Sequence, residues 1–594
     1  MDSPHESGYE SDDDEPTTMP TRSTAANQER GTPRGSTRLD YVLPPFCGTQ
    51  PLHFLGASCL SAIFSASNNI PILSIFMYAW FLLYACGVHT KKQIWVGMVC
   101  LLLSRSIGLR DCFADEISAL ASYIIVVIFH LVLWIPLWGI ICLQKSTWQQ
   151  QSQDHPSQSY SPLQLGSLLF PIYTTAYLQV MARWSPIGSI GSSAMDLAFA
   201  PSLSRSVAVW GEMGLSFWVS WMTSITVAQI CGLLPRKHLS IFMRVSCLAL
   251  VFGGYYTMDT KGMLLEDITT WPLSTAPVLQ TTCITGPRKS DPISEQRLVS
   301  LTNQRLAAGD DLIVWSEEAS NFRLDVSAIQ WNPDNPGAVV AVAFMEPATI
   351  SKSHNNNSST SMFWNSIELW QNGISLNRYD KNRPVPIVEG NILPGKELPI
   401  PVEITFTPLL LHDKSTTIHR QNTTLKVATA ICFDLDYPDL LWHAHTADLV
   451  FGPSEYWGAI GTFTWGHNQF RALENGFTLF KCSAMGTSGG VDPYGYILGE
   501  KPMTYDAIWT MQLPVQSGII TIYSDYGGWT FGWICCGITL LHLFAQWISR
   551  WMMPNRYDRV GHGESTTDAE TLPVVSQDTD RFDPTYGDAS NNNG

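Results

Sequence analysis

Three short stretches of this 594-residue chain carry side chains that can do covalent chemistry together: Glu317 in "IVWSEEA", Lys381 in "NRYDKNRPVP" and Cys432 in "ATAICFDLDYP". A thiol attacks an ester or amide carbonyl as its thiolate, and a free cysteine titrates only at ~8.5, so the attack needs a base or a cation nearby. Glu317 can be that base, because a carboxylate beside a desolvated thiol is pushed towards a pKa at which it both takes and returns a proton. Lys381 offers a fixed positive charge for the oxyanion of a tetrahedral intermediate, joined by the backbone N–H of Phe433 directly after the nucleophile. Glu, Lys and Cys in this order form a set for thiol-mediated acyl transfer. Each alone is ordinary, since an isolated Cys after an apolar run is more often a core thiol and an "EE" or "DK" pair is usually solvated surface.

The elements that must position them can be read from the flanks. Glu317 and Cys432 each follow a short apolar run rich in β-branched residues, which puts both at the exposed ends of buried strands, where side chains from separate strands converge. Around this block the chain is 45% hydrophobic and 14% charged, too apolar for an ordinary soluble enzyme. The apolar residues gather in nearly charge-free runs, predicting membrane helices over 52–67, 70–88, 94–109, 118–143, 163–184, 207–234 and 239–256, and an eighth over 518–547. The expected fold class is a multi-pass α-helical membrane bundle of about eight helices carrying an α/β domain. The expected division is a disordered acidic cytosolic tail (1–45), a membrane bundle (52–256), a lumenal catalytic domain (277–515), a last membrane helix (518–547) and a second disordered acidic cytosolic tail (551–594). A polar stretch, not a basic start and cleavage site, precedes the first run, so no removable signal peptide is expected.

Lys and Arg set the orientation. Arg22, Arg30, Arg34 and Arg38, then Lys91 and Lys92, Lys145, Arg236 and Lys237, and Arg550, Arg556 and Arg559 all fall on one side, with Arg110 and Arg183 as exceptions. Both termini are then cytosolic and the catalytic block lies in the lumen of the endoplasmic reticulum or another secretory membrane. Sequons at Asn356, Asn357 and Asn422 agree with that side. The two tails together hold −10 of the net −16, and nothing in the charge pattern points to nucleic acid. In an oxidising lumen Cys112 and Cys283 could pair, joining a membrane loop to the domain. No metal or organic cofactor is expected, since neither a His/Cys ligand cluster nor a Gly-rich phosphate loop occurs, and His443 and His445 read as ordinary helix-start polar residues.

The motifs resemble those of the nitrilase, or carbon–nitrogen hydrolase, superfamily. "WSEEA" is similar to its Trp-Ser/Pro-Glu-Thr-Ala motif, the segment ending "YDKNRPVPIVEG" to its Tyr-x-Lys-x-x-x-Val-Pro-x-x-Glu, and "ICFDLDYP" to Ile-Cys-Tyr-Glu. "HNQFRALENGFTLFKCSAMGTSGGVDPYGYIL" looks like its closing helix, strand and hairpin. With seven runs before the domain and one after, the chain resembles the membrane apolipoprotein N-acyltransferases of that superfamily.

The resemblance implies a four-layer α-β-β-α sandwich and makes Cys432 the acylated nucleophile, Glu317 the base, Lys381 the oxyanion stabiliser and Glu389 a second carboxylate supporting both. Tyr456, Trp457 and Gly458 are similar to its mobile substrate-side loop. Two readings stand for Trp271, a substrate-contacting Trp or an aromatic at the membrane interface. Phe433 and Asp434 replace the family's Tyr-Glu after the nucleophile, Ile387-Val388 replaces Phe-Gly, and "GPSEYWG" lacks the Asn-Asp-Ala start. These departures surround the acyl and acceptor pockets. The expected activity moves an acyl chain from a phospholipid through a Cys432 thioester to an amine acceptor. The rivals are a membrane-bound amidase ending with water, and a scaffold whose site is relict.

Overall fold

The computed structural model describes residues 51 to 552, interrupted at 69–70, 89, 109–117, 155–164, 186–187, 191, 199–200, most of 232–275, 289–291, 349–361, 386–387, 411–418, 457–459, 518 and 528. Cys112, Trp271, Asn356, Asn357, Ile387, Trp457, Gly458 and most of 239–256 lie outside the described residues, as do residues 1–50 and 553–594.

The strands are β1 (Val278–Ile284), β2 (Leu312–Trp315), β3 (Val339–Pro347), β4 (Phe363–Gln371), β5 (Ile374–Asp380), β6 (Val402–Phe406), the two-residue β7 (Leu409–Leu410) and β8 (His419–Arg420), β9 (Thr423–Thr429), β10 (Leu449–Glu455), β11 (Thr478–Ala484), β12 (Thr487–Val491), β13 (Ile497–Pro502) and β14 (Ile508–Pro514). They form two six-stranded sheets, in the orders β14-β1-β2-β3-β4-β5 and β13-β12-β11-β10-β9-β6, each parallel at its centre and antiparallel at its edges.

The period-2 alternation of β2 shows how the layers are built. Leu312 and Val314 point into a core shared with Leu425, Val427, Phe451 and Leu479 of the second sheet. Ile313 and Trp315 point the other way, against Leu298 and Leu306 of the helix Pro292–Ala307. Across the middle, Cys283 of β1 and Cys482 of β11 form a disulfide with their Cα atoms 5.2 Å apart. The expected Cys112–Cys283 pairing is therefore corrected. Sheet stacking brings β1 and β11 face to face, within the Cα range a disulfide can span.

The helices are α1 (Pro51–Asn68), α2 (Pro71–Gly87), α3 (Lys91–Gly108), α4 (Ala119–Asp154), α5 (Leu165–Trp184), α6 (Val207–Ile230), α7 (Pro292–Ala307), α8 (Ile460–Asn475) and α9 (Trp529–Met552), with several shorter turns. The expected multi-pass bundle of about eight membrane helices is overturned. Among the described residues one helix is long and apolar enough to cross a bilayer, Thr530–Ser549 within α9, with mean hydropathy 1.5. The apolar parts of α1 and α2, Pro51–Phe64 and Ile75–Gly87, are shorter than the ~20 residues a bilayer requires. α3 carries Lys91, Lys92 and Arg105, and α4 runs out into "KSTWQQQSQD". Gly, Ser, Thr, Tyr and Trp dilute α5 and α6. Freedom from charge is a weaker condition than apolarity, and these residues meet the first without meeting the second.

Polar groups instead tie the helices to one another. The Gln144 side chain accepts from the Phe170 N–H at 2.9 Å, and the Lys145 ammonium donates to the carbonyls of Ala85, at 2.8 Å, and Val88. α6 docks on the sandwich, where its Val207, Leu215 and Val219 pack with Phe470 and Leu473 of α8.

Candidate active site

Glu317 stands two residues past β2, Lys381 directly after β5, and Cys432 three residues past β9. The β4–β5 hairpin turns through Asn372 and Gly373, both at positive φ, a pairing suited to a two-residue turn, and so returns the chain to deliver Lys381. Cys432 opens a tight helical turn, Cys432–Asp436, and is itself at φ +47°, a conformation L-residues avoid and one that recurs at functional positions.

The three predicted residues meet in one buried site. Lys381 Nζ lies 2.6 Å from Glu317 Oε1 and 2.6 Å from Glu389 Oε1. Asn365 Nδ2 donates to the same Glu317 oxygen at 2.8 Å, and the Glu455 backbone N–H donates to the other at 2.9 Å. The Cys432 thiol donates to the Glu455 carbonyl oxygen at 3.5 Å. Burial pushes the Cys432 thiol well above its ordinary pKa, the Glu317 carboxylate adds to that push, and Lys381 opposes it. Burial alone would depress Lys381, but Glu317, Glu389 and Cys432 outweigh it and hold the ammonium well above its usual range. Both shifts favour a thiol beside an ammonium over a thiolate beside a neutral amine. Two of the three Lys381 N–H groups are given to carboxylates. The third has no partner among the described residues.

Glu389 is fixed by the Val385 N–H at 2.6 Å, and burial pushes its carboxyl up. Asp434 is a clip: it accepts from Tyr379 Oη at 2.8 Å and from the backbone N–H of Arg383 at 2.8 Å, Asn382 at 3.3 Å and Ile431 at 3.3 Å. It joins the nucleophile turn to the loop bearing Lys381, and burial pushes its carboxyl up to about 6. Phe433 packs edge-on against Tyr437, ring centroids 5.7 Å apart. Tyr456 is buried, its ring covering the ammonium of Lys481 at 4.1 Å.

Sequence reasoning assigned no role to Asn365, Glu318 or the groups behind the nucleophile turn. There Asp436 Oδ1 meets His467 Nδ1 at 2.7 Å, and His467 Nε2 lies 3.1 Å from Glu212 Oε1. Glu212 also pairs with Arg471, which reaches Glu474 at 2.7 Å. Glu212 follows Gly211, whose φ of +66° interrupts α6 and turns the carboxylate towards α8. The i, i+4, i+7 spacing of His467, Arg471 and Glu474 on one helical face was a signal available in the sequence. Glu212, a lone acid in an apolar helix, gave none of its partner.

No protein-family model and no curated protein matches the chain. Among solved structures it is similar to an amidase from Nesterenkonia sp., at 18% identity over 40% of this chain and 91% of that one, with a TM-score of 0.29. It is also similar to a mutant of the Nesterenkonia AN1 amidase from the nitrilase superfamily, at 17% identity over 40% and 92%, TM-score 0.29. A third has the acetamide moiety of fluoroacetamide covalently added at its active-site cysteine, at 18% identity over 41% and 92%, TM-score 0.29. Overlap this low transfers no residue roles, and the roles assigned to this chain rest on its own geometry.

Proposed function

We propose that this protein is a carbon–nitrogen hydrolase-type enzyme that works as an N-acyltransferase, carrying an acyl group as a thioester on Cys432 and passing it to an amine to form an amide. One observation carries the reading: a thiol, a carboxylate and an ammonium from three different strand ends are brought together in one buried site, where the carboxylate accepts from the ammonium and both charges act on the thiol. Glu317 takes the thiol proton as sulfur attacks the donor carbonyl and returns it to the leaving group. Lys381, through its unspent N–H, and the Phe433 N–H stabilise the oxyanion. Glu389 holds Lys381 in place.

The donor in this reading is a phospholipid ester. Support for a lipid surface comes from the outward side chains of α9, where Leu540, Leu541, Trp547 and Trp551 are 60–74% exposed. Contiguous apolar surface of this kind marks contact with a membrane or a partner. Support for an oxidising secretory compartment, with the catalytic part on its lumenal side, comes from the Cys283–Cys482 disulfide and the exposed sequon at Asn422.

The test is intact-protein and peptide mass spectrometry of the full chain in detergent with phospholipid, comparing wild type with Cys432→Ala. An acyl adduct on Cys432, released by hydroxylamine and missing in the variant, is the expected result. Consumption of small amides with no amine-dependent product would make the enzyme an amidase, with water as the final acceptor.

A further inference from the structure

Next to the base stands a second carboxylate that the acylation chemistry does not use. Glu318 follows Glu317 directly and occupies the position where the resembled motif has Thr. Its backbone is in the left-handed region at φ +54°, unfavourable for a residue with a Cβ. That conformation lets two consecutive residues project into one place: carboxylate oxygens of Glu317, Glu318 and Glu389 lie within 4.8 Å of one another. Glu317 and Glu389 are both engaged by Lys381. Glu318 has no hydrogen bond or ion pair among the described residues, and like Glu389 it keeps partial exposure where Glu317 is nearly covered. A strained, half-buried, unpartnered acid beside the nucleophile's base is costly to maintain without a ligand for it.

We propose that Glu318 is the acceptor-recognition residue of this site, receiving a primary ammonium group and taking its proton so that the neutral amine can attack the thioester on Cys432. This deepens, and rests on, the acyltransferase reading. An amine in neutral water is mostly protonated and has no lone pair to attack with, so aminolysis must remove two protons where hydrolysis by water removes one. Glu318 takes the first, from R–NH3+. The nitrogen then forms a bond to the acyl carbon and the C–S bond breaks. The second N–H proton passes to Glu317 and from there to the departing sulfur of Cys432, while Glu318 returns its proton to solvent.

An ordinary carboxylate is far too weak a base to deprotonate an ammonium. Here burial, and then the charges of Glu317, Glu455 and Glu389, push the Glu318 carboxyl well above the usual range, which brings the two proton affinities together.

The experiment uses the full-length protein in detergent, p-nitrophenyl butyrate as donor, and n-butylamine in competition with hydroxylamine, which is uncharged at neutral pH. The readout is the ratio of N-butylbutyramide to butyrohydroxamate. Glu318→Gln is expected to lower that ratio by roughly tenfold or more, the scale of a lost charge-assisted contact. Glu318→Asp is expected to retain an intermediate ratio. A ratio in Glu318→Gln within twofold of wild type, with a butyryl adduct still forming on Cys432, overturns the role of Glu318 and leaves the thioester mechanism standing. Absence of the adduct in the wild type overturns both, and is read separately by mass spectrometry. If the Gln variant does not fold, Glu318→Thr gives the same comparison with a residue known to suit the resembled motif, and an unchanged ratio there is equally fatal.

Discussion

Lys381 is the residue on which the site's electrostatics turn. Fully buried between Glu317 and Glu389, it neutralises carboxylates that would otherwise face each other out of water. Lys381→Met should therefore cost stability as well as activity, by about 3–5 kcal/mol at pH 8, because the partners are left as uncompensated buried charges. The loss should shrink towards pH 5, where the orphaned carboxyls are free to protonate. Urea midpoints of wild type and variant at the two pH values check this, and a loss independent of pH would show that the ion pair is not its source. Glu317→Gln keeps the shape of the base but cannot take the thiol proton. Its rate of Cys432 adduct formation should fall by roughly 10²–10⁴, measured by stopped-time mass spectrometry. Of this scale much is legible in the amino-acid order, since residue type constrains chemistry directly. Asn365 is the exception: an Asn within a strand becomes a base-orienting group only once β4 is placed beside Glu317.

At the scale of elements, the nucleophile turn is held from two sides, by Asp434 towards the Lys381 loop and by Asp436 towards α8 and α6. His467 is the hinge of the second grip. Burial would lower its pKa, but Glu212 and Asp436 outweigh burial and raise it to about 9. The folded value lies above the unfolded one of about 6.5, so its contribution to stability is fully present below pH 6.5 and is lost as pH rises through 9. The size is about 3 kcal/mol. Chemical denaturation at pH 6.5 and 9.5 should show this fall in wild type and little of it in His467→Gln. Asp434→Ala leaves the Tyr379 hydroxyl and three backbone N–H groups without their acceptor, and should cost roughly 2–4 kcal/mol. It should also slow acylation of Cys432, because the turn loses its attachment to the loop carrying Lys381; a variant with full acylation rate would deny Asp434 this positioning role. The strand ends were readable from apolar runs, whereas the grips join residues 3 to more than 250 positions apart, and the long ones have no local signature.

For the whole molecule, the helical part is both a surface and a support. Apolar residues of α9 are exposed, and Glu212 of α6 reaches the nucleophile turn through His467. Leu540→Asp combined with Trp547→Asp should abolish flotation of the protein with phosphatidylcholine vesicles, since each charge brought into hydrocarbon costs about 2.5–3.5 kcal/mol. Retained flotation would place the membrane contact elsewhere, and conversion of an oligomer to monomers would make this face a protein interface.

What the sequence indicated by itself was the candidate chemistry: a thiol, a carboxylate and a cation fit for acyl transfer, with Glu317 and Cys432 each at the end of a strand. These follow from residue type and from short-range periodicity, both local properties of the chain. The tertiary structure decided what depends on distant parts meeting. It paired Cys283 with Cys482 through the stacking of two sheets, turned Asp434 from a pocket-side substitution into a clip, and set Glu318 free beside its engaged neighbours. It also replaced eight expected membrane crossings with one helix of spanning length and apolarity among the described residues. Absence of charge along a run cannot report what packs against it, and the polar contacts of α2, α4, α5 and α6 exist only once those helices are assembled.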